Sequence, residues 1–279
     1  MSNIIALKDI EKMEDKLLVS NIQNKVLRDM AGGVKRTSII MKDNSTGRTE
    51  ELHNRVVISG SIAAAVGLFN LELPAMPTYN TALELQNSVS SEPTTPRVIS
   101  LFCVGDDGCG VLDSDVFVPN YIDRIPPSKV YPFRYIEAGG QDIDENEREL
   151  YFGRKVDTDG NIMYYFKAFD NQPQMYLRYT DGTEINPATM YNVITSQEAE
   201  CFVKADLNIS RLDFRDYFDK VLGWDKARIS SLSLCYAWYL NTGGYKWYQD
   251  IIPFTKLNFS FEKLVDSTKS LSFEYSLFF

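Results

Sequence analysis

The sequence predicts a mainly β (α+β) protein: a β-sandwich-like body with an N-terminal amphipathic helix and short accessory helices. Three observations lead there. Aromatic residues make up 13 % of the 279 residues, with 16 Tyr and 16 Phe, and flat rings pack well on pleated surfaces. Apolar and polar residues alternate with period two, the strand signature. Leu257, Phe259 and Phe261 alternate with Lys256, Asn258, Ser260 and Glu262, and Leu271, Phe273, Tyr275, Leu277 and Phe279 alternate with Ser270, Ser272, Glu274 and Ser276. Tight-turn sequences, Asp157-Thr158-Asp159-Gly160-Asn161 and Thr180-Asp181-Gly182-Thr183, separate apolar runs.

From the N-terminus, residues 7–31 carry Leu7, Ile10, Met13, Leu17, Leu18, Ile22, Val26, Leu27 and Met30 at three- and four-residue spacing, an amphipathic helix. Gly32-Gly33 stops it. This segment, 1–33, packs on its own domain or serves as an arm on a neighbour. Residues 34–279 form the β-rich body. Thr37–Met41 and Arg55–Ile58 read as a hairpin around the turn cluster 43–47. Residues 61–70 read as a short apolar helix capped by Ser59 or Ser61. Pro74, Pro77, Pro93 and Pro96 mark 71–97 as a long loop excursion reaching toward a partner. Val98–Val104 is an apolar strand, followed by a glycine-rich turn, 105–110. The prolines of 119–134 exclude a central strand there, and 137–149 is an acidic surface loop. Strands follow at 151–156, 162–169, 175–179, 184–185 and 199–207. Helical spacing returns at 212–222 and ends at Gly223. The two terminal alternating runs read as one hairpin with a single apolar face.

The net charge is −9, from 38 acidic and 29 basic side chains. Such a surface repels phosphate backbones and anionic membranes, and no Lys/Arg run offsets it. The sequence shows neither a bilayer-spanning apolar run nor a secretory signal. Folding in a reducing cytoplasm is therefore expected. Cys201 and Cys235 read as small buried hydrophobes, and disulfides are not expected.

Candidate chemistry is sparse. The one histidine, His53, sits at a strand entry and reads as structural. Cys103 and Cys109 lack zinc-ligand spacing. Asp106, Asp107, Asp113 and Asp115 are weak candidates for holding a hard cation through oxygen ligands. Asp157-Thr158-Asp159-Gly160 starts like a calcium loop, but Ala168 stands where a bidentate Glu is needed, so it reads as a turn. No phosphate-binding glycine motif is present, and no carboxylate pair stands out. No cofactor is expected. Trp238, Tyr239, Tyr245, Trp247 and Tyr248 read as core or interface residues, or as a sugar-stacking face.

Several local patterns, in order, span residues 37–279. They are Thr46-Gly47 with His53-Asn54-Arg55-Val56-Val57, the run Phe102–Gly110, Tyr151–Lys155 with Tyr164–Phe169, Asp213–Phe218, and Pro253–Phe259 with a closing strand 271–279. In these the chain resembles virion structural proteins of tailed bacteriophages. The resemblance implies a non-enzymatic component of the neck, tail or baseplate region, made in the host bacterial cytoplasm. Its partners would be other phage structural proteins and copies of itself, with no direct nucleic-acid or membrane contact. The interface candidates are Leu17, Ile22, Leu27, Tyr79, Trp238, Tyr245, Trp247 and Tyr248. The alternatives are a carbohydrate- or receptor-binding tail protein, and a hydrolase using acids around 106–115 and 137–149.

Overall fold

The computed structural model describes residues 36–52, 54–56, 79–86, 97–112, 116–119, 125–171, 173–186, 199–242, 245–263 and 270–278. The helices expected at 7–31 (with Leu17, Ile22 and Leu27) and 61–70 lie outside the described residues, as do His53, Asp113 and Asp115.

Two antiparallel sheets share one core, and the body is mainly β, as the alternation predicts. The first sheet has six strands. The hairpin β1 (Arg36–Asp43) and β2 (Thr49–Leu52) lies at one edge. Next to β1 comes β16 (Ser270–Phe278), then β12 (Ala199–Ser210), β10 (Gln174–Tyr179) and β11 (Glu184–Ile185). The second sheet has eight. It runs from β3 (Asn54–Val56) through β15 (Thr255–Lys263), β13 (Arg228–Thr242) and β4 (Arg97–Gly105) to β9 (Ile162–Ala168). β7 (Arg134–Ile136) and β8 (Tyr151–Val156) also pair with β9, and β14 (Tyr245–Pro253) pairs with β13. A small ribbon, β5 (Cys109–Leu112) and β6 (Val116–Pro119), completes the described strands.

The alternating residues of both sheets meet in the middle. Ile39, Leu207, Ile209, Leu271 and Phe273 of the first sheet share a core with Phe102, Leu232, Leu234, Leu257 and Phe259 of the second. Phe259 and Phe273 touch across it at 5.6 Å between ring centroids. This corrects the terminal hairpin. The alternation holds in both runs, but β15 and β16 lie in different sheets and their apolar faces oppose each other. An apolar face must be covered, and two strands that face one another across a core cover both faces, which a shared hairpin face does not.

The first hairpin is also shifted. Asp43 caps its turn, its Oδ1 accepting the Ser45 N–H at 2.9 Å and the Ser45 hydroxyl at 2.6 Å. Gly47 takes φ 71°, and the return strand starts at Thr49. Arg55 instead belongs to β3, which crosses to the second sheet and pairs with β15. The acidic residues Glu50 and Glu51 hid the true return strand.

The second sheet is apolar on its outer face too. Leu101, Cys103, Phe166, Cys235, Ala237 and Ile251 form a second cluster there with Tyr79 and Leu85. Those last two come from α1 (Tyr79–Ala82) and the turn after it. This stretch of the Pro-rich segment therefore covers the chain's own sheet instead of reaching out to a partner. A strand buried on both faces reads as a continuous apolar run, which is what Val98–Val104 shows.

β12 runs into α2 (Arg211–Tyr217) and a π-wound turn, 218–222, which Gly223 ends at φ 86°. Phe214 and Phe218 pack on Phe133 and Tyr131, at 4.8 and 5.5 Å. At the glycine-rich turn the backbones touch: a Cβ on Gly108 would lie 1.9 Å from the Ser230 carbonyl oxygen.

Deleting residues 270–279 will abolish folding, because β16 is the middle strand of the first sheet. Circular dichroism and soluble yield test this. A soluble deletion product with a cooperative thermal transition would refute it.

Candidate functional site

Three places gather polar or aromatic side chains that chemistry might use. The first is a buried ionic junction. Lys167, the penultimate residue of β9, points its Nζ at Asp213, 3.1 and 3.3 Å from the two carboxylate oxygens. It also donates to the Asn208 carbonyl at 2.9 Å. Asp213 is the third residue of α2 and forms a capping box with Ser210, whose N–H and hydroxyl reach Oδ2 at 2.7 and 3.0 Å. The Tyr151 hydroxyl donates to Oδ1 at 2.7 Å. Burial and the adjacent Asp213 carboxylate hold the Tyr151 phenol far above its ordinary range. Arg134 covers the Tyr151 ring at 4.4 Å and pairs with Glu147 at 2.5 Å. A carboxylate offers about four acceptor positions, and these donors fill those of Asp213. The arrangement ties β9 of one sheet to the end of β12 in the other. It leaves Asp213 no free oxygen for a substrate.

The second place is the turn after β4, the expected cation site. Asp107 is consumed by protein donors. Oδ2 accepts the Ser128 N–H at 2.7 Å and its hydroxyl at 3.2 Å, Oδ1 accepts the Ser231 hydroxyl at 2.7 Å, and the buried Lys256 ammonium lies 3.6 Å away. Burial and the nearby Asp106 carboxylate push the Tyr131 phenol up. Among the described residues no group of three or more His, Cys, Asp or Glu side chains is placed to hold a metal ion. Asp107 therefore serves the fold here, while Asp113 and Asp115 of the expected cation set lie outside the described residues. Asp157 likewise closes a turn, its Oδ1 accepting the Asp159 and Asn161 N–H groups at 3.0 and 2.9 Å.

The third place is the far end of the β13–β14 ribbon. Among the described residues β4 pairs with β13 as far as Trp238, opposite Arg97. Beyond it the ribbon continues, with Tyr239 opposite Tyr248, Leu240 opposite Trp247 and Thr242 opposite Tyr245. Tyr248 stands edge-on to Phe152 at 4.7 Å and lies 5.5 Å from Tyr239. Trp247 is 38 % exposed. The predicted interface set thus divides. Trp238, Tyr248 and Trp247 gather on this ribbon, with Tyr245 at its turn end. Tyr79 does not join them. It is 5 % exposed, stacks on Phe166 at 5.4 Å and donates to the Pro127 carbonyl at 3.1 Å, so it is interior.

The sequence reading missed the ionic junction. Two signals pointed to it: a lysine inside the apolar run 162–169, and Ser210 followed three residues later by an acid, a helix-start signature.

Replacing one partner of the junction leaves a buried charge. Asp213→Ala is expected to lower stability by about 3–5 kcal/mol. The double variant Lys167→Met with Asp213→Leu should lose less than the sum of the single changes, as measured by urea unfolding. An additive result would show that the two residues do not act as a pair.

The buried phenols set an alkaline limit. Tyr131, Tyr151 and Tyr164 are raised well above 10.0, chiefly by burial, and Tyr165 to about 12. A raised folded pKa contributes stability that is present below the unfolded value and is lost as pH rises through it. Unfolding should therefore set in above pH ~10 and coincide with tyrosinate absorbance. Tyrosine titration complete before the fold is lost would contradict this.

Compared with known proteins, the chain matches no family model, no curated protein and no solved structure.

Proposed function

We propose that this chain is a non-enzymatic structural subunit of a tailed-phage particle, making subunit contacts in its neck, tail or baseplate region. The observation that carries this reading is the exposed aromatic end of the β13–β14 ribbon. There Tyr239 pairs with Tyr248, and Trp247, opposite Leu240, stands exposed. Apolar and aromatic anchors of this kind dominate the energetics of protein interfaces. Two further features support it. The buried ionic groups at Asp107 and Asp213 are spent on holding strands together, which fits a structural body. The net charge of −9 suits a partner with a basic surface. The ordered motifs that resemble virion proteins supply the setting. Among the described residues no helix is long and apolar enough to cross a membrane.

A second reading uses the same ribbon. The exposed Trp247 offers a ring on which a sugar stacks, as in a receptor-binding tail protein.

Mass spectrometry of purified particles of the encoding phage tests the first reading. The chain should be present in a fixed copy number, and its absence from mature particles would overturn the proposal. Trp247→Ala should leave the isolated protein folded, with a cooperative thermal transition by circular dichroism, yet reduce incorporation into particles. Normal incorporation together with glycan-array binding that is lost on Trp247→Ala would favour the second reading.

A further inference from the structure

The first sheet has an unusual dependence. β1 and β12 do not pair with each other, and β16 joins them. Arg36–Asp43 pairs with Phe278–Leu271 on one side, and Phe202–Ser210 pairs with Phe278–Ser270 on the other. β16 fills a strand-wide slot between these two walls, pairing both backbone edges, with Ile39 and Met41 of one wall and Leu207 and Ile209 of the other beside it in the core. The strand that fills it contains no proline or glycine, and Glu274 is its one charged residue. Such a strand pairs readily with any matching edge.

We propose that this slot is a strand-acceptor site and that β16 of a second copy can occupy it, so that copies of the chain join by exchanging their C-terminal strands. Every hydrogen bond and core contact is the same whether the strand arrives from its own chain or from another. Only the connection differs. Residues 264–269 lead from β15 in the second sheet to β16 in the first. Fully extended they reach about 25 Å, more than the ~10 Å between packed sheets. That slack lets the strand enter a slot on an adjoining copy. A short tether gives the chain's own strand an effective concentration in the mM range, so exchange grows where copies are crowded. The inference rests on topology and does not require the phage reading.

Disulfide trapping on the full-length chain tests it. Asn208 and Ser272 are register partners between β12 and β16, and Lys42 and Ser272 are register partners between β1 and β16. A residue in a central antiparallel strand forms a non-hydrogen-bonded pair, with Cα spacing about 4.5 Å, with one of its two neighbours. One of these two pairs therefore suits a disulfide. Two chains with different tags are co-expressed, one carrying only Ser272→Cys and the other only Asn208→Cys or Lys42→Cys. The chain with both changes serves as the competence control, and the unmodified chains set the background from native cysteines. The expected result is a species carrying both tags, its link mapped by mass spectrometry to position 272 and its partner position, and more abundant at higher concentration. Efficient closure within single doubly substituted chains, with no inter-chain link in the mixtures, would overturn the proposal. Particle proteomics is a separate measurement, so this failure is distinguishable from failure of the functional reading.

Discussion

The fold depends on a strand of nine residues, Ser270–Phe278, hydrogen-bonded on both sides. Its inner face presents Leu271, Phe273, Tyr275 and Leu277 to the core. At roughly 1.5–3 kcal/mol for each large side chain buried, these four contribute about 6–12 kcal/mol. That is comparable with the whole net stability of a typical protein, about 5–15 kcal/mol. The neighbours on either side are ladders that begin far apart in sequence, at Arg36 and at Ala199. Neither has the other to pair with until this strand is present. The first sheet is therefore closed by the residues furthest from its beginning, a long-range contact of the kind that slows folding.

The second sheet obeys a different constraint, because it is apolar on both faces. One face takes part in the common core. The other needs its own cover, which Tyr79 and Leu85 help to provide by packing on Phe166 and its neighbours. Gly153, in edge strand β8 at φ 70°, leaves room for this. A Cβ there would sit 2.3 Å from the Phe166 ring and 3.3 Å from Leu85. Gln86 donates its N–H to the Arg154 carbonyl at 2.8 Å, which blunts that edge. A stretch with the composition of a loop excursion thus acts as part of the wall. Proline and polar residues set its backbone, while two apolar side chains decide where it goes.

Much of this was legible. Strands 151–156 and 162–168 and the helix start near residue 211 follow from local alternation, turn chemistry and the change to helical spacing, all short-range signals. What was not legible is pairing. Nothing local in Leu257–Phe261 or Leu271–Phe279 says that these runs belong to opposite sheets, because both arrangements satisfy the same alternation. The same limit hid the return strand Thr49–Leu52, where Glu50 and Glu51 mask a half-buried edge. At the candidate sites the limit was of another kind. Asp107 looked available because neighbouring acids crowd it in sequence. Its actual partners, Ser128, Ser231 and Lys256, come from distant strands and loops. Tyr79 looked like an anchor for a neighbour because aromatic residues in loops often are, and the apolar outer face of its own sheet claimed it first.

The ionic junction adds a directional tie between the two sheets. Apolar cores tolerate many arrangements of similar volume, and two layers of Phe and Leu specify their mutual register weakly. Lys167 and Asp213 remove that freedom, because a slip of either layer strands a charge in the interior. A well-packed apolar pair there would serve stability as well or better, so the junction contributes most to uniqueness. A body fixed in this way can carry a ribbon beyond its edge and hold it at a defined angle. Tyr248 is braced by Phe152 on one side and Tyr239 on the other, so Trp247 is presented on a rigid support.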